Sequence, residues 1–321
     1  MQHTMRHRHI ETNEYTLTAI DDVIERGLLR DWLELRNAIR SSVVIADSVK
    51  RVCEHQKSCP DFPSRYIFWS NFLDSLKTRR RAIGKIKQNW NAFNSLLEVC
   101  FFSTILGMRT ELDWDKLLSA ASQLRGHIPI TALTNFVPNL KIEFDAILAK
   151  LESVAGWKFV RVVKPVLILG SLDGVDTGIR QLIRDEPLET KKVSIGRHEI
   201  VVPTEEEILR IKGALILKRN ATRDYVDFAA LSQALGKAVA AQAFQRFDAI
   251  YPQENGQSPT QQLCLQLSDP RPFDLQEDKL SSYKNLTAQW QTWKAVKSQC
   301  VHAANFIFNS LEPESSDSPG Y

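Results

Sequence analysis

Apolar residues recur at helical spacing along most of the first hundred positions. Leu28, Trp32, Leu35 and Ile39 fall three or four apart, and Ile67, Phe68, Phe72 and Leu76 repeat in the same way. That period stacks side chains on one helical face. The pattern predicts helix almost throughout 15–105, broken at Cys59-Pro60-Asp61-Phe62-Pro63 because neither proline suits a helix interior. Residues 112–124, LDWDKLLSAASQL, predict another amphipathic helix, with Asp113 as its cap. The pattern then changes. FVRVVKPVLIL at 159–169 and VSIGRHEIVV at 193–202 are β-branched and end in turn residues, so strands are expected there. Ser171-Leu172-Asp173-Gly174 suits a tight hairpin turn into Val175–Ile183.

From 204 to about 248 the helical period returns. Pro203 and Thr204 open this run, and Glu205, Glu206 and Glu207 fill its first turn, where carboxylates suit the positive helix end. Ile208, Ile211, Leu215 and Ile216 mark a core face, with Lys212 one residue past that row. Arg219, Arg223, Asp224 and Asp227 follow within a few turns. Pro252–Pro259 reads as a loop, Leu280–Phe308 as helix and Glu312–Tyr321 as a flexible tail. No internal repeat is visible. The expected antiparallel sheet covers 159–202, with the 204–219 helix packed on it through Ile208, Ile211 and Leu215.

Composition narrows the class. The chain has 321 residues, 43% hydrophobic and 25% charged, enough for two or three packed units of a water-soluble protein. A net charge of +3 does not by itself imply nucleic-acid binding. No apolar run approaches the length of a membrane span, and MQHTMRHRHI at 1–10 lacks the apolar core of a signal peptide. Cys53, Cys59, Cys100, Cys264 and Cys300 are scattered and odd in number, which fits a reducing cytoplasm. His3, His7 and His9 have no metal-binding framework beside them.

The stretch 203–231 resembles the nucleotidyltransferase toxins of the abortive-infection type, the enzyme half of type IV toxin–antitoxin pairs. There a helix entered through Pro/Ser-x-x-Glu carries a lysine, then an Arg-Asp and a further Asp. Lys212, Arg223-Asp224 and Asp227 match these positions. The resemblance runs back through VLILGSLDGVDTGIRQLIR at 166–184 and forward to about residue 300. It implies an α+β fold: a small, mostly antiparallel nucleotidyltransferase-like sheet with packed helices at 106–203, between a helical N-terminal unit (1–105) and a C-terminal helical region (204–310), with a tail at 311–321. It also implies Mg²⁺ bound with an NTP by converging carboxylates. LGMRTELDWD at 106–115 offers Asp113 and Asp115 as the metal pair, although Glu98-Val99 stand where the family has Gly-Gly. Asp176 takes the place of the third carboxylate, and alternation puts Asp176, Gly178 and Arg180 on one strand face.

Each of these residues has a plainer reading. Asp113 and Asp115 suit a helix start, and Asp176 with Arg180 suits a solvated sheet face. Lys212 either reaches phosphate oxygens or carries its ammonium to solvent from an apolar helix. Arg219, Arg223, Asp224 and Asp227 either position a nucleotide or pin the helix by charge-assisted hydrogen bonds, and Arg223 with Asp227 also forms an i,i+4 surface pair. Lys77, Arg79, Arg80 and Arg81, with Lys85 and Lys87 and followed by Trp90 and Phe93, are the one concentrated basic patch, which suits RNA phosphates or a solvated linker. Two functions stay open. One is a cytoplasmic enzyme that moves a nucleotide from an NTP to an acceptor such as tRNA, restrained by a cognate antitoxin and not associated with a membrane. The other is a catalytically degenerate protein of that fold that binds protein or RNA.

Overall fold

The computed structural model describes residues 5–6, 11–12, 15–56, 63–81, 136–137, 140–172, 175–181, 184, 186–195, 198–276, 280 and 286–311. In chain order these form β1 (Met5–Arg6), β2 (Glu11–Thr12), α1 (Leu17–Arg26), α2 (Leu29–Ser41), α3 (Val43–Gln56), α4 (Pro63–Arg81) and β3 (Phe136–Val137). There follow α5 (Leu140–Glu152), β4 (Trp157–Val163), β5 (Leu167–Leu172), β6 (Val175–Gln181), β7 (Thr190–Ile195) and β8 (His198–Pro203). The last elements are α6 (Glu205–Arg219), α7 (Thr222–Ala243), α8 (Phe247–Ile250), α9 (Pro259–Ser268), a 3₁₀ turn (Ala288–Trp290) and α10 (Trp293–Ser310). Two compact units result, one of Met1–Gln88 with Leu209–Tyr321 and one of Asn89–Ile208.

The first unit is helical, with an aromatic centre. The Thr16 hydroxyl accepts the Ala19 N–H and caps α1, while Asp31 reaches back to the Leu28 N–H at the start of α2. Pro63 opens α4, where its missing N–H costs nothing. Trp32 of α2, Phe68, Trp69 and Phe72 of α4 and Phe308 of α10 form one ring cluster, with centroids 5.0–6.3 Å apart. Buried Arg36 joins it: Nη1 donates to Phe308 O (2.6 Å) and Leu311 O (2.7 Å), closing the C-terminus of α10 with a positive charge. Ranges that the sequence reading kept apart, 1–105 and 204–310, thus share one core. Helix α4 runs through the basic stretch to Arg81, so residues 77–81 are helix where the sequence also allowed a linker.

Among its described residues, the second unit holds a four-stranded sheet with α5 packed on it. Its strand order is β3-β6-β5-β4, antiparallel except for the parallel β3–β6 pair. Leu140, Phe144, Ile147 and Leu151 of α5 pack on Ile168, Leu172 and Ile179. Gly170 makes room on that face, since a Cβ there would lie 2.4 Å from Trp157 Cζ2. Strands β7 and β8 form a separate hairpin, so the strands found within 159–202 make two sheets and not one.

Candidate functional site

Helices α6 and α7 are joined by Asn220 and Ala221. Asn220 adopts φ 44, a left-handed conformation that asparagine tolerates. Its amide donates to Arg271 O (2.8 Å), its side-chain oxygen accepts the Tyr225 hydroxyl (2.6 Å), and its carbonyl accepts the Phe273 N–H (3.1 Å). The Thr222 N–H and hydroxyl both donate to Asp274 Oδ1, at 2.7 and 2.8 Å, so a distant loop caps α7. Burial raises the Asp274 carboxyl, but these bonds and the Arg219 charge outweigh it and hold the group below the usual carboxylate value.

That turn sets four charged residues together. Lys212 Nζ donates to Asp227 Oδ2 at 2.5 Å and lies 3.7 Å from Asp224 Oδ1. Arg219 grips Asp224 with both arms: Nε donates to Oδ2, and Nη2 to Oδ1 at 2.7 Å. Two cations and two carboxylates form a neutral cluster, with Asp224 fully buried and Lys212 only 7% exposed. Burial pushes the Asp227 carboxyl up, against the pull of Lys212. The hydrogen bond to Asp224 raises Arg219.

Lys212 therefore does not carry its ammonium to solvent. Ile208 and Ile216 lie on the buried face of α6 as expected, joined by Leu209, Lys212 and Gly213, while Ile211 and Leu215 are half-buried. Half of the expected row holds; the other half was misplaced because a lysine was not counted as an inward position. Gly213 belongs to that close contact, since a Cβ there would meet Leu263 and Phe244 at 2.9–3.0 Å. Arg223 is exposed, and the carboxylate of Asp227 goes to Lys212. The charges thus pin α6 to α7, one helix to the next.

The remaining candidates lie elsewhere. On β6, Asp176 pairs with Ser171, Gly178 with Leu169 and Arg180 with Leu167, alternating with Ile179 in the sheet core. The side chain of Asp176 is outside the described residues, as are those of Lys77, Arg79, Arg80 and Arg81. Asp113, Asp115, His3, His7, His9, Lys85, Lys87, Trp90, Phe93, Glu98-Val99 and the helix expected at 112–124 lie outside them altogether. Among the described residues no group of three or more His, Cys, Asp or Glu could hold a metal ion.

A second buried ion pair went unread in the sequence. Arg184 Nη1 lies 2.7 Å from Glu207 Oε1, with both side chains almost wholly buried. Arg184 also donates to Glu186 O (2.9 Å) and Pro187 O (2.8 Å), and Glu207 accepts the Glu189 N–H. The signal was Thr204-x-x-Glu207, a capping-box spacing. The Thr204 hydroxyl accepts the Glu207 N–H (3.2 Å), while the glutamate turns to Arg184.

No family model matches the chain, and no solved structure matches it. Similar proteins exist among mycobacterial sequences named for transport, haem uptake and lipid export. The chain is 35% identical over 127 residues to "Probable transport protein MmpL11" of Mycobacterium leprae, covering 38% of this chain and 12% of that protein. The same figures hold for "Heme uptake protein MmpL11" of Mycobacterium tuberculosis. With "Mycolic acid-containing lipids exporter MmpL11" of Mycolicibacterium smegmatis it shares 30% identity over 135 residues, 40% of this chain and 13% of that protein. The match thus spans about an eighth of the length of these relatives.

These relatives overturn the resemblance to nucleotidyltransferase toxins, and with it NTP-to-tRNA transfer, the degenerate binding-module alternative, the NTP, RNA and antitoxin partners, the exclusion of a membrane and the cytoplasmic placement. The pattern Lys212…Arg223-Asp224…Asp227 misled because a helix pair closed by internal salt bridges has the same spacing as a phosphate-binding helix. Among the described residues, no helix is long and apolar enough to cross a membrane.

Proposed function

We propose that this chain serves the membrane transport of an apolar cargo of the haem or lipid class. The observation that carries this reading is the 35% identity over 127 residues to proteins named for transport and haem uptake, joined by a relative named for lipid export. Exposed apolar residues on β4 support it, because contiguous apolar surface on a folded domain usually marks a contact site. The helical unit acts as scaffold, its charges spent on each other.

A chimaera tests this reading. In Mycobacterium tuberculosis MmpL11, the segment matched by this chain is replaced with the full 321-residue chain, and growth with haem as iron source is measured. The expected result is growth restored over a strain that lacks the segment. A chimaera that reaches the membrane at normal levels yet gives no haem-dependent growth overturns the reading.

A further inference from the structure

The loop between α8 and α9 holds the chain's single Asn-Gly pair, Asn255-Gly256. Residues 254–257 are exposed, so water reaches this peptide. The Gln257 N–H donates to Asn255 Oδ1 (3.0 Å). That bond spans the intervening peptide and folds the carboxamide back toward the Gly256 nitrogen. Gly256 adopts φ 67, a left-handed conformation natural to glycine, and a Cβ built on it would meet nothing within 4 Å. The approach to its nitrogen is open.

The rest of the loop is held in place. Gln253 Nε2 donates to Gln262 Oε1 (2.8 Å), and Gln262 Nε2 donates to Gln257 Oε1 (2.6 Å). The Ser258 hydroxyl accepts the Gln261 N–H (3.0 Å) and caps α9. Asn255 thus sits within a segment tied to the first turn of α9 from both sides. One contact opposes reaction there, because the Gly256 N–H donates to Gln253 O (3.0 Å). It is an exposed turn bond, which local opening exchanges for water.

We propose that Asn255 is a self-modification site, where the chain converts its own carboxamide to aspartate and isoaspartate. The Gly256 nitrogen loses its proton to hydroxide and attacks Asn255 Cγ, closing a cyclic imide. The Cγ–Nδ2 bond breaks, and Nδ2 leaves as ammonia with a proton from water. Water then opens the ring. Attack at Cγ gives aspartate; attack at the backbone carbonyl gives isoaspartate, with the chain running through Cβ. Water is the reactant consumed, and nothing is oxidised or reduced. The Gln257 N–H stabilises the negative charge that develops on Oδ1, as a fixed donor does at an oxyanion. Asn220, Asn305 and Asn309 are instead followed by Ala221, Phe306 and Ser310, whose side chains crowd the attacking nitrogen. The product carries a new negative charge and, as isoaspartate, a longer backbone in the segment that Gln262 holds.

The test is timed incubation of the full chain, folded and in urea, at neutral and at mildly alkaline pH. Peptide mass spectrometry follows the amide-to-acid mass gain at Asn255, and fragmentation separates isoaspartate from aspartate. In the folded chain Asn255 should convert at least as fast as in urea, give isoaspartate together with aspartate, and react faster at the higher pH. Gly256→Ala should slow conversion about tenfold, a barrier increase of about 1.4 kcal/mol. Conversion in urea with Asn255 left intact in the folded chain would overturn the proposal, since the loop would then protect the amide. Aspartate without isoaspartate, or an unchanged rate in Gly256→Ala, would overturn it as well, because neither fits attack by the Gly256 nitrogen.

Discussion

The two units handle charge and apolar surface in opposite ways. In the helical unit, Lys212, Arg219, Asp224 and Asp227 neutralise one another where α6 meets α7, and Trp32, Phe68, Trp69, Phe72 and Phe308 are buried together. In the sheet unit, α5 covers part of one face among the described residues, and the edge strand β4 leaves Val160 and Val162 in solvent. Charges closed on one another hold α6 to α7, with Arg219 at the exposed edge of the cluster. Exposed apolar surface does little for stability and is available to a partner. The charged run of the family resemblance, Lys212 to Asp227, sits in the first unit, and exposed apolar side chains of β4 sit on the second.

The sharpest way to break this comparison is to open the aromatic core. Phe308→Ala should cost about 3–5 kcal/mol by the usual penalty for a buried aromatic, because Phe308 packs against four other rings and sits beside Arg36. Urea unfolding followed by tryptophan fluorescence would measure it, and a loss under about 1 kcal/mol would show the cluster is not tightly packed.

Next comes the ionic cluster. Lys212→Met leaves Asp227 without its cation in a buried site, a change that costs about 3–5 kcal/mol for such pairs. Lys212→Met combined with Asp227→Leu removes both charges and should recover most of that loss, while Arg219 and Asp224 keep each other. Additive losses in the double variant would mean that the two side chains do not act as a pair. Asp227 also has a pH signature. Its folded-state carboxyl is raised by burial, so the stability it contributes is present below the unfolded value and lost as pH rises through the folded one. The double variant should lack that decline.

A smaller effect is expected in the sheet unit. Gly170→Ala would push a methyl against the Trp157 ring and should cost about 1–3 kcal/mol, as overpacking does. The loss should fall on hydrogen-exchange protection of β4, β5 and α5 and spare the helices of the other unit.

Asp274→Ala should cost about 1 kcal/mol, the typical value of a helix cap. The sign with pH is opposite to that of Asp227. A carboxyl held below its usual value contributes stability above the unfolded value and loses it as pH falls through the folded one. Acid unfolding of the wild type should therefore steepen below the ordinary carboxylate range, and Asp274→Ala should blunt that limb. Lys164→Ala should move stability least, by about 0–1 kcal/mol, because its pair with Asp145 is exposed on both sides.

Much of the fold was legible in sequence, and the reason differs by element. Trp32, Leu35 and Ile39 announce α2 because a helix buried on one side has to repeat its apolar residues. The strand runs were readable through their β-branched residues. Their division into two sheets was not, because pairing is a long-range choice that local pattern does not encode. The face of α6 was read correctly at Ile208 and Ile216 and misplaced at Ile211 and Leu215, because Lys212 reads as polar although its charge is matched by Asp224 and Asp227 from the next helix. Arg184 and Glu207 escaped for the same reason, being 23 positions apart in sequence. The family resemblance failed on a spacing of charged residues that ion-paired helices also produce.

The most direct test of the contrast is haem-dependent growth of the MmpL11 chimaera carrying variants from each unit. If the exposed apolar residues of β4 serve transport and the ionic cluster only holds helices together, Val160→Asp with Val162→Asp should abolish growth at normal protein levels. Lys212→Met with Asp227→Leu should leave growth intact. Growth retained by the β4 variant and lost by the charge-free variant, both present at wild-type amounts, would contradict the account.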